Sequence, residues 1–291
     1  MASIRVERPG ALTTVQDAGR PGLAHLGVPR SGALDPAAHR LANRLVGNPQ
    51  TAPVLETTLT GVALRFSGDA VVAVTGAAAP VRLDGQPAGW GAAVRVRRGQ
   101  LLDVGRARPG VRSYLAVSGG IAVPPVLGSA STDLLSGLGP APLAAGQTLV
   151  TGEPAGEAPP ASCSPPACAA SLAPVTGPLE LPIRLGPRDD WLTRAGRATL
   201  TTAVFTVAIE SNRIGMRLRG APVGQASRGE LPSEGLVWGA VQLLPDGNLV
   251  VFLADHPTTG GYPVVAVVDP AGFSTCAQAA PGTPVRFRRT R

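Results

Sequence analysis

The polar residues with the greatest capacity for chemistry lie in two glycine-containing stretches. Residues 255–262 read Asp-His-Pro-Thr-Thr-Gly-Gly-Tyr and stand between the apolar, β-branched runs 249–253 and 264–268. Glycine lets backbone N–H groups approach a ligand closely, and successive N–H groups in a turn can form an anion-binding concavity. The pattern predicts a strand, a polar turn and a second strand. Two interpretations of the turn stay open, a ligand-binding loop and a long hairpin loop.

Residues 13–35 form the second stretch and contain few large apolar side chains. Such a stretch buries little surface, so its specificity must come from hydrogen bonds. Arg20 and Arg30 can each grip a carboxylate or a phosphate with two donors. A shorter run at 128–132, Gly-Ser-Ala-Ser-Thr, is consistent either with an anion-binding loop or with an ordinary serine-rich loop.

Composition excludes several classes of site. The chain has 291 residues and a net charge of +7, and none of its 26 basic residues is lysine, which excludes Schiff-base chemistry and a lysine phosphate loop. The arginines form no basic stripe, so we do not expect nucleic-acid binding. Three cysteines and three histidines show no zinc spacing, and no Gly-x-Ser-x-Gly elbow is present.

Targeting signals are also missing from the pattern. The amino-terminal residues lack the apolar segment of a signal peptide, and no apolar run approaches the roughly 18 residues of a transmembrane helix. We therefore expect a cytoplasmic protein with reduced thiols and no membrane association.

Strand patterns dominate the remaining sequence. Asp35 is a suitable N-cap and Pro36 a suitable first residue for a helix over about 35–46 that ends at Gly47. His39 lies on this helix, and we expect it to pack rather than to catalyse. Asp84-Gly85 and Asp246-Gly247 are hairpin signals. Predicted strands are 62–66, 70–75, 93–96, 113–117, 183–185, 203–209 and 237–243, besides the two runs that flank 255–262.

These short strands predict a mainly β protein with two barrel-like domains and few short helices. We expect a first domain over 1–150, a Pro/Ala-rich linker or surface loop over 151–178, and a second domain over 179–291.

Five motifs in order resemble one family, the KipA family, which is also called the C component of 5-oxoprolinase or allophanate hydrolase subunit 2. They are Thr14–Arg20, Gly27–Asp35, Gly119-Gly120-Ile121 with Gly128–Thr132, Ser233-Glu234-Gly235 and Thr258–Tyr262. The resemblance runs from about Pro9 to Phe287 except over 150–180, and it extends to the carboxyltransferase region of urea carboxylase. It implies cyclophilin-like barrels.

The resemblance also implies an activity: cleavage of 5-oxoproline to glutamate with ATP hydrolysis, by a hetero-oligomer with a KipI-like partner and a LamB/YcsF-type partner. The chain would be inactive alone, and ATP would be a cosubstrate of the complex. Two alternatives stay open: carboxyl transfer from carboxybiotin to a urea-like amide, and a KipA-like regulatory role against a KipI-like kinase inhibitor.

Oriented donors and acceptors suit a planar lactam or amide, whose reaction develops charge on oxygen. Candidates for the general base are Asp17, Glu234 and Asp255, with the choice open. Either Arg20 or Arg213 would grip a substrate carboxylate, although Arg213 and Asp255 could simply pair with each other. The other candidate substrate contacts are Gln16, Ser31, Tyr114, Ser129, Ser131, Thr132, Gln242, Thr258, Thr259, Gly260, Gly261 and Tyr262.

Overall fold

Short apolar runs separated by glycine turns form strands through most of the chain. The computed structural model describes residues 3–154, 177–226 and 228–290. Contacts divide them into two units: the first comprises 3–20, 35–133 and 137–154, and the second comprises 21–34, 134–136 and the residues from 177 onward. The linker expected at 151–178 lies mostly outside the described residues, although Thr151 ends a strand.

The first unit contains two sheets and one helix. Its strands are β1 (Ser3–Arg8), β2 (Leu12–Gln16), β3 (Val54–Thr58), β4 (Ala63–Phe66), β5 (Ala70–Gly76), β6 (Val81–Leu83), β7 (Gln86–Ala88), β8 (Ala93–Val96), β9 (Leu101–Val104), β10 (Arg112–Val117), β11 (Ile121–Ala122) and β12 (Thr148–Thr151). The sheet orders are β11-β12-β1-β4-β9-β6-β7 and β2-β3-β10-β5-β8. Apolar residues of both sheets form one core, which includes Ile4, Leu55 and Leu115.

Helix α1 (Pro36–Leu45) forms where the sequence predicts it. The Asp35 side chain accepts a hydrogen bond from the Ala38 N–H, which satisfies one of the free donors of the first turn. The helix packs on β5 and β10, and the Thr75 hydroxyl donates to the Ala38 carbonyl at 2.7 Å. His39 is buried in this interface, as expected of a packing residue.

The second unit is built on a closed barrel. Its strands are β13 (Leu179–Leu185), β14 (Phe205–Val207), β15 (Gly215–Arg219), β16 (Glu234–Gly235), β17 (Ala240–Leu243), β18 (Leu249–Phe252), β19 (Thr259–Gly260), β20 (Val264–Val268) and β21 (Pro284–Arg289). The barrel order is β13-β20-β17-β18-β15-β14-β21, and the parallel pair β13–β21 closes it. Helices α2 (Arg194–Thr202) and α3 (Phe273–Gln278) complete the unit, with 3₁₀ turns at Ala24–Leu26, Asp189–Trp191 and Pro270–Gly272.

Alternate residues of the barrel strands fill its interior, as the period of two of a β-strand requires. Pairs such as Leu181 with Ile183 and Val285 with Phe287 belong to one buried core. Residues of the opposite strand face form a second cluster, in which Leu236 packs with Ala240, Val250, Phe252 and Val264. The segment that contains Leu236 therefore lies on the outer face of β17, β18 and β20.

The mainly β class with few short helices is confirmed, and the second unit confirms a barrel. The Asp84-Gly85 and Asp246-Gly247 hairpins form between β6 and β7 and between β17 and β18. Two strands begin at least two residues later than predicted. Gly239 has a positive φ, and a Cβ there would lie 2.8 Å from the Val268 carbonyl oxygen, so the strand expected over 237–243 begins only at Ala240. Helix α2 takes Thr202, so the strand expected over 203–209 begins at Phe205.

The hairpin interpretation of residues 255–262 is wrong. Strands β18 and β20 flank this loop as predicted, but β17 lies between them and pairs with both. The loop therefore crosses over one strand, and it contains a short strand of its own, β19. A single sequence cannot distinguish this arrangement from a hairpin, since both leave apolar runs on each side of a polar turn.

Candidate functional site

In the first unit, Asp17 fastens two of the motif loops together. The loops 14–20 and 128–132 are termed the first loop pair. The Oδ1 atom of Asp17 accepts from the hydroxyls of Ser129 at 2.6 Å and Ser131 at 2.5 Å, and from the Gly19 N–H at 2.7 Å. Its Oδ2 atom accepts from the Ala130 N–H at 2.7 Å. A buried carboxylate that accepts four hydrogen bonds holds the two loops together, and three of the four bonds are made to Oδ1.

The backbone donors of residues 129–132 are also committed. The N–H groups of residues 129, 130, 131 and 132 donate to Val126 O, Asp17 Oδ2, Ser129 Oγ and Val15 O respectively. An anion-binding concavity needs such donors to point at a ligand. The geometry therefore favours the ordinary structured loop of the two interpretations and does not fit a phosphate-binding role for this run.

Gln16, Arg20 and Thr132 complete the first loop pair. The amide of Gln16 donates to the Thr132 carbonyl at 3.0 Å, and Arg20 Nη2 donates to the Ser131 carbonyl at 2.6 Å. The Thr132 hydroxyl donates to the Pro140 carbonyl at 2.8 Å. Arg20 is only 2% exposed. Its Nη1 and the Oε1 of Gln16 are buried without a hydrogen-bond partner among the described residues. The guanidinium thus serves the loops rather than a solvent-facing surface.

Tyr114 lies in a separate buried network of the first unit. Its hydroxyl donates to Glu56 Oε2 at 2.8 Å and accepts from the Asp35 N–H at 2.7 Å. Burial, together with the Glu56 carboxylate, raises the pKa of the Tyr114 phenol well above its ordinary value. A protonated phenol with both hydrogen-bond directions filled fixes the start of α1.

The second unit repeats the arrangement around Asp255. The loops 27–34 and 255–262 are termed the second loop pair. The Asp255 carboxylate receives both Nε and Nη2 of Arg213 at 2.9 Å, the Ser31 hydroxyl at 3.2 Å and the Leu134 N–H at 3.1 Å. Arg213 Nη2 also donates to the Gly32 carbonyl at 2.7 Å. Arg213 and Asp255 therefore form with each other the ion pair that was one of the two sequence-based alternatives, and it is almost fully buried.

The turn that the ion pair fastens has an unusual backbone. Ser31 has φ of 55° and Gly32 has φ of 91°, both in the left-handed region. A serine is disfavoured there, and it stays only because its surroundings hold it. The Ser31 N–H donates to the Ala254 carbonyl at 2.9 Å, next to its hydroxyl contact with Asp255. The second loop pair is thus joined by both backbone and side chain.

Residues 233–237 and 258–262 form a two-stranded element, termed the flap. Strands β16 and β19 pair Glu234 with Gly260, and the Leu236 N–H extends the ladder to the Thr258 carbonyl at 2.8 Å. Gln242 of β17 donates its amide to the Tyr262 carbonyl at 2.9 Å, which ties the flap to the barrel wall. Tyr262 itself is 48% exposed. Of the predicted residues, those of the flap are the ones that offer groups to solvent.

The two flap glycines differ in what surrounds them. A Cβ at Gly260 would lie 2.9 Å from both Gln242 Nε2 and Leu236 Cδ1. A Cβ at Gly261 would lie 3.6 Å from the Leu231 carbonyl oxygen, which is ordinary contact distance. A methyl group at position 260 would therefore displace the ends of the Gln242 and Leu236 side chains, whereas position 261 has room for a methyl group.

Glu234 is an ion-pair partner on the flap. Its carboxylate binds the Arg188 guanidinium in two-pronged fashion. This hydrogen bonding lowers the pKa of Glu234 below its ordinary value, which weakens it as a base. Of the three candidate bases, only Glu234 is partly accessible to solvent.

One stacked group was not among the predicted site residues. The guanidinium of Arg30 lies 5.3 Å above the ring of Trp238, and Trp238 stacks on Phe273 with centroids 4.4 Å apart and planes 5° apart. Arg188 was missed as well. A tryptophan beside Gly239 is conspicuous in a chain with only 3% aromatic residues, but nothing local in the sequence pairs residue 188 with residue 234.

Two other reactive residues, His39 and Cys276, are buried. Burial lowers the pKa of the His39 imidazole, which contacts the Ala52 carbonyl at 3.0 Å through Nε2. Burial raises the pKa of the Cys276 thiol to about 12. Within residues 3–154, 177–226 and 228–290, no group of three or more His, Cys, Asp or Glu residues could hold a metal ion. No helix in the described part of the chain is long and apolar enough to cross a membrane. Cys163 and Cys168 lie outside the described residues.

A family comparison identifies the scaffold. The model of the carboxyltransferase domain, subdomains A and B, matches residues 26–289. The chain belongs to this family. The match includes the second loop pair and the flap, whereas the loop at 14–20 precedes it.

Three relatives are similar to this carboxyltransferase-domain protein over nearly its whole length. The C component of 5-oxoprolinase from Escherichia coli K12 is 37% identical over 286 residues, which are 98% of this chain and 90% of that protein. The solved structure of TTHA0988 is 37% identical with a TM-score of 0.88, over 99% of this chain and 56% of that one. Urea carboxylase of Kluyveromyces lactis is 31% identical with a TM-score of 0.88, over 99% of this chain and 27% of that one. The chain thus spans little more than half of TTHA0988.

Proposed function

We propose that this carboxyltransferase-domain protein is the C component of an ATP-dependent 5-oxoprolinase. The supporting observation is its similarity to the Escherichia coli protein of that name, which extends over nearly the full length of both chains. Its partners would be a KipI-like protein and a LamB/YcsF-type protein, and the complex would convert 5-oxoproline to glutamate with hydrolysis of ATP.

The geometry supports a shared site and an inactive isolated chain. Asp17 and Asp255 are buried and committed to donors, and Glu234 is held by Arg188. A lactam is inert at neutral pH because amide resonance makes its carbonyl a poor electrophile, so its cleavage needs an activated nucleophile and a stabilised oxyanion. No free general base stands among the predicted residues. A partner would therefore supply the base, and this chain would bind and orient the substrate.

ATP would bind on a partner. The backbone donors of residues 129–132 are used within the loop, and the chain contains no lysine to reach phosphates. The proposed contribution of this chain is the flap, with exposed Thr259 and Tyr262, beside the loop at 27–34 that the Asp255–Arg213 pair anchors.

Carboxyl transfer to a urea-like amide is the second candidate. It is supported by the similarity of nearly the whole chain to part of urea carboxylase. In that case biotin would be attached to another protein or segment, because this chain has no lysine to accept it.

One reconstitution tests both candidates. The chain is purified alone and with its KipI-like and LamB/YcsF-type partners, and ADP and glutamate are measured with 5-oxoproline. We expect formation of both products only in the complete complex. Carboxylation of urea when carboxybiotin protein is added, with no glutamate formed from 5-oxoproline, would favour the second candidate. Turnover of 5-oxoproline by the chain alone would overturn the shared site.

A further inference from the structure

Three arginines of the polar loops could bind an anionic ligand, but they differ in how far they are exposed to solvent. Arg20 and Arg213 are 2% and 1% exposed, and their guanidinium groups donate to loop carbonyls and to Asp255. Arg30 is exposed. Its ring contact with Trp238 is the one interaction it makes with the described residues. Of the three, only Arg30 is exposed to solvent.

The contact with Trp238 positions the Arg30 guanidinium and leaves its N–H donors available for a ligand. A guanidinium over an aromatic face makes a cation–π contact that uses none of its N–H donors, so two of them can still meet a carboxylate with parallel hydrogen bonds. The Trp238 ring is itself fixed, because it stacks on Phe273 and is only 9% exposed. This order lowers the entropy lost when the side chain engages a ligand.

The backbone beside Arg30 is fixed as well. Ser31 directly follows it in a left-handed conformation, with its N–H on Ala254 and its hydroxyl on Asp255. A residue held in a sparsely populated conformation often marks a functional turn. The Trp238 Nε1 is a buried donor without a hydrogen-bond partner among the described residues.

We infer that Arg30, which lies over the Trp238 ring, binds the carboxylate of the substrate. The inference rests on the proposed function and deepens it, because 5-oxoproline bears a carboxylate beside its lactam whereas urea bears none. Arg30 then discriminates between anionic and neutral amides, and Arg213 and Asp255 position the loop that carries it. Neither Arg20 nor Arg213 contacts the carboxylate.

Kinetics of the reconstituted complex test this assignment. Arg30→Gln is compared with Arg30→Lys and with Arg286→Gln, a matched loss of one exposed arginine on β21. We expect Arg30→Gln to raise KM for 5-oxoproline about tenfold or more, with a much smaller change in kcat, because it removes a charge-assisted pair of hydrogen bonds. Arg30→Lys restores part of the affinity, and Arg286→Gln leaves KM unchanged. ATPase stimulation by 2-pyrrolidinone, a lactam without a carboxylate, is the same in wild type and Arg30→Gln.

Three outcomes overturn the inference. In an active complex, an unchanged KM in Arg30→Gln excludes Arg30 from the site and leaves the proposed function intact. Equal loss of 2-pyrrolidinone-stimulated ATPase would assign Arg30 to something other than the carboxylate. Failure of Arg30→Gln to bind the partner proteins, seen by size-exclusion chromatography, would instead assign it to an acidic group of a partner.

A separate measurement decides the case in which the wild-type complex does not turn over 5-oxoproline and the proposed function fails. Calorimetric titration of the complex with 5-oxoproline and with 2-pyrrolidinone then reports binding alone. Binding of the acid that is lost in Arg30→Gln retains the carboxylate site. Equal binding of both ligands, or none of either, rejects it.

Discussion

The two loop pairs are each built around one buried carboxylate, but the donors differ in charge. Asp17 is held by hydroxyl and backbone N–H groups, all of them neutral. Asp255 is held mainly by the Arg213 guanidinium. Removing a carboxylate from neutral donors leaves unsatisfied polar groups, whereas removing it from a buried guanidinium leaves an unpaired charge. The same loop-fastening role thus carries different energetic consequences in the two units.

The pairs also differ in what they expose. In the first pair, every predicted side chain is buried, and most of their hydrogen bonds lie within the two loops, although the Thr132 hydroxyl donates to Pro140. The second pair continues into the exposed flap and presents Arg30 on its stacked ring. The second unit therefore offers the ligand-facing groups that its anchor positions, whereas the first loop pair is closed on itself.

The largest effect is expected from Asp255→Asn, which leaves Arg213 buried without its counter-charge. We expect a loss of about 3–5 kcal/mol in the free energy of unfolding, measured by urea denaturation. The double variant Asp255→Asn with Arg213→Met removes the orphaned charge and should recover part of that loss. A fall of less than about 1 kcal/mol in the single variant would show that the pair is not buried as described.

Asp17→Asn should destabilise less, because its donors carry no net charge. The NH₂ group of the asparagine replaces an acceptor oxygen and faces the hydroxyl and N–H donors that surround Asp17. We therefore expect a loss of about 2–3 kcal/mol in the free energy of unfolding, by the same measurement. A loss as large as that of Asp255→Asn would break the distinction between neutral and charged anchors.

Local signals in the sequence predict those elements that depend on neighbouring residues, such as helix starts and hairpin turns. Asp35 and Pro36 predict the start of α1, and Asp84-Gly85 predicts a hairpin, because capping and turn geometry depend on adjacent residues. Helix α2 escapes prediction although Thr193 caps it, because its nine residues include Gly196 and three threonines, which are poor helix formers.

Long-range pairing is beyond such signals. Asp17 meets Ser129 across 112 residues, and Asp255 meets Ser31 across 224. The sequence indicates that these residues are polar and clustered in motifs, but it cannot separate carboxylates that fasten loops from those that face a ligand. Burial decides that question, and burial depends on the packed fold. The role of each candidate in substrate binding or catalysis stays a prediction.

The flap glycines sharpen the contrast between anchored and exposed parts of the second loop pair. A methyl group at position 260 must displace Gln242 or Leu236, so Gly260→Ala should reduce stability by about 1 kcal/mol and lower turnover in the complex. Gly261→Ala is the matched control, since its Cβ meets only ordinary contacts. Thermal melting and steady-state kinetics are measured for both variants. Equal behaviour of the two would remove close packing as the reason for glycine at position 260.

The smallest effect compares one hydroxyl from each anchor. Ser129→Ala removes a 2.6 Å hydrogen bond to Asp17 and also the acceptor of the Ser131 N–H, so we expect a loss of about 1 kcal/mol. Ser31→Gly removes a longer contact, 3.2 Å, to an Asp255 carboxylate that keeps Arg213 and the Leu134 N–H. Glycine also relieves the left-handed backbone at position 31, which offsets the lost hydroxyl. The expected net change is within about 0.5 kcal/mol. Urea denaturation of both variants measures the difference, and a larger loss for Ser31→Gly would show that the hydroxyl, rather than the ion pair, holds the second loop pair.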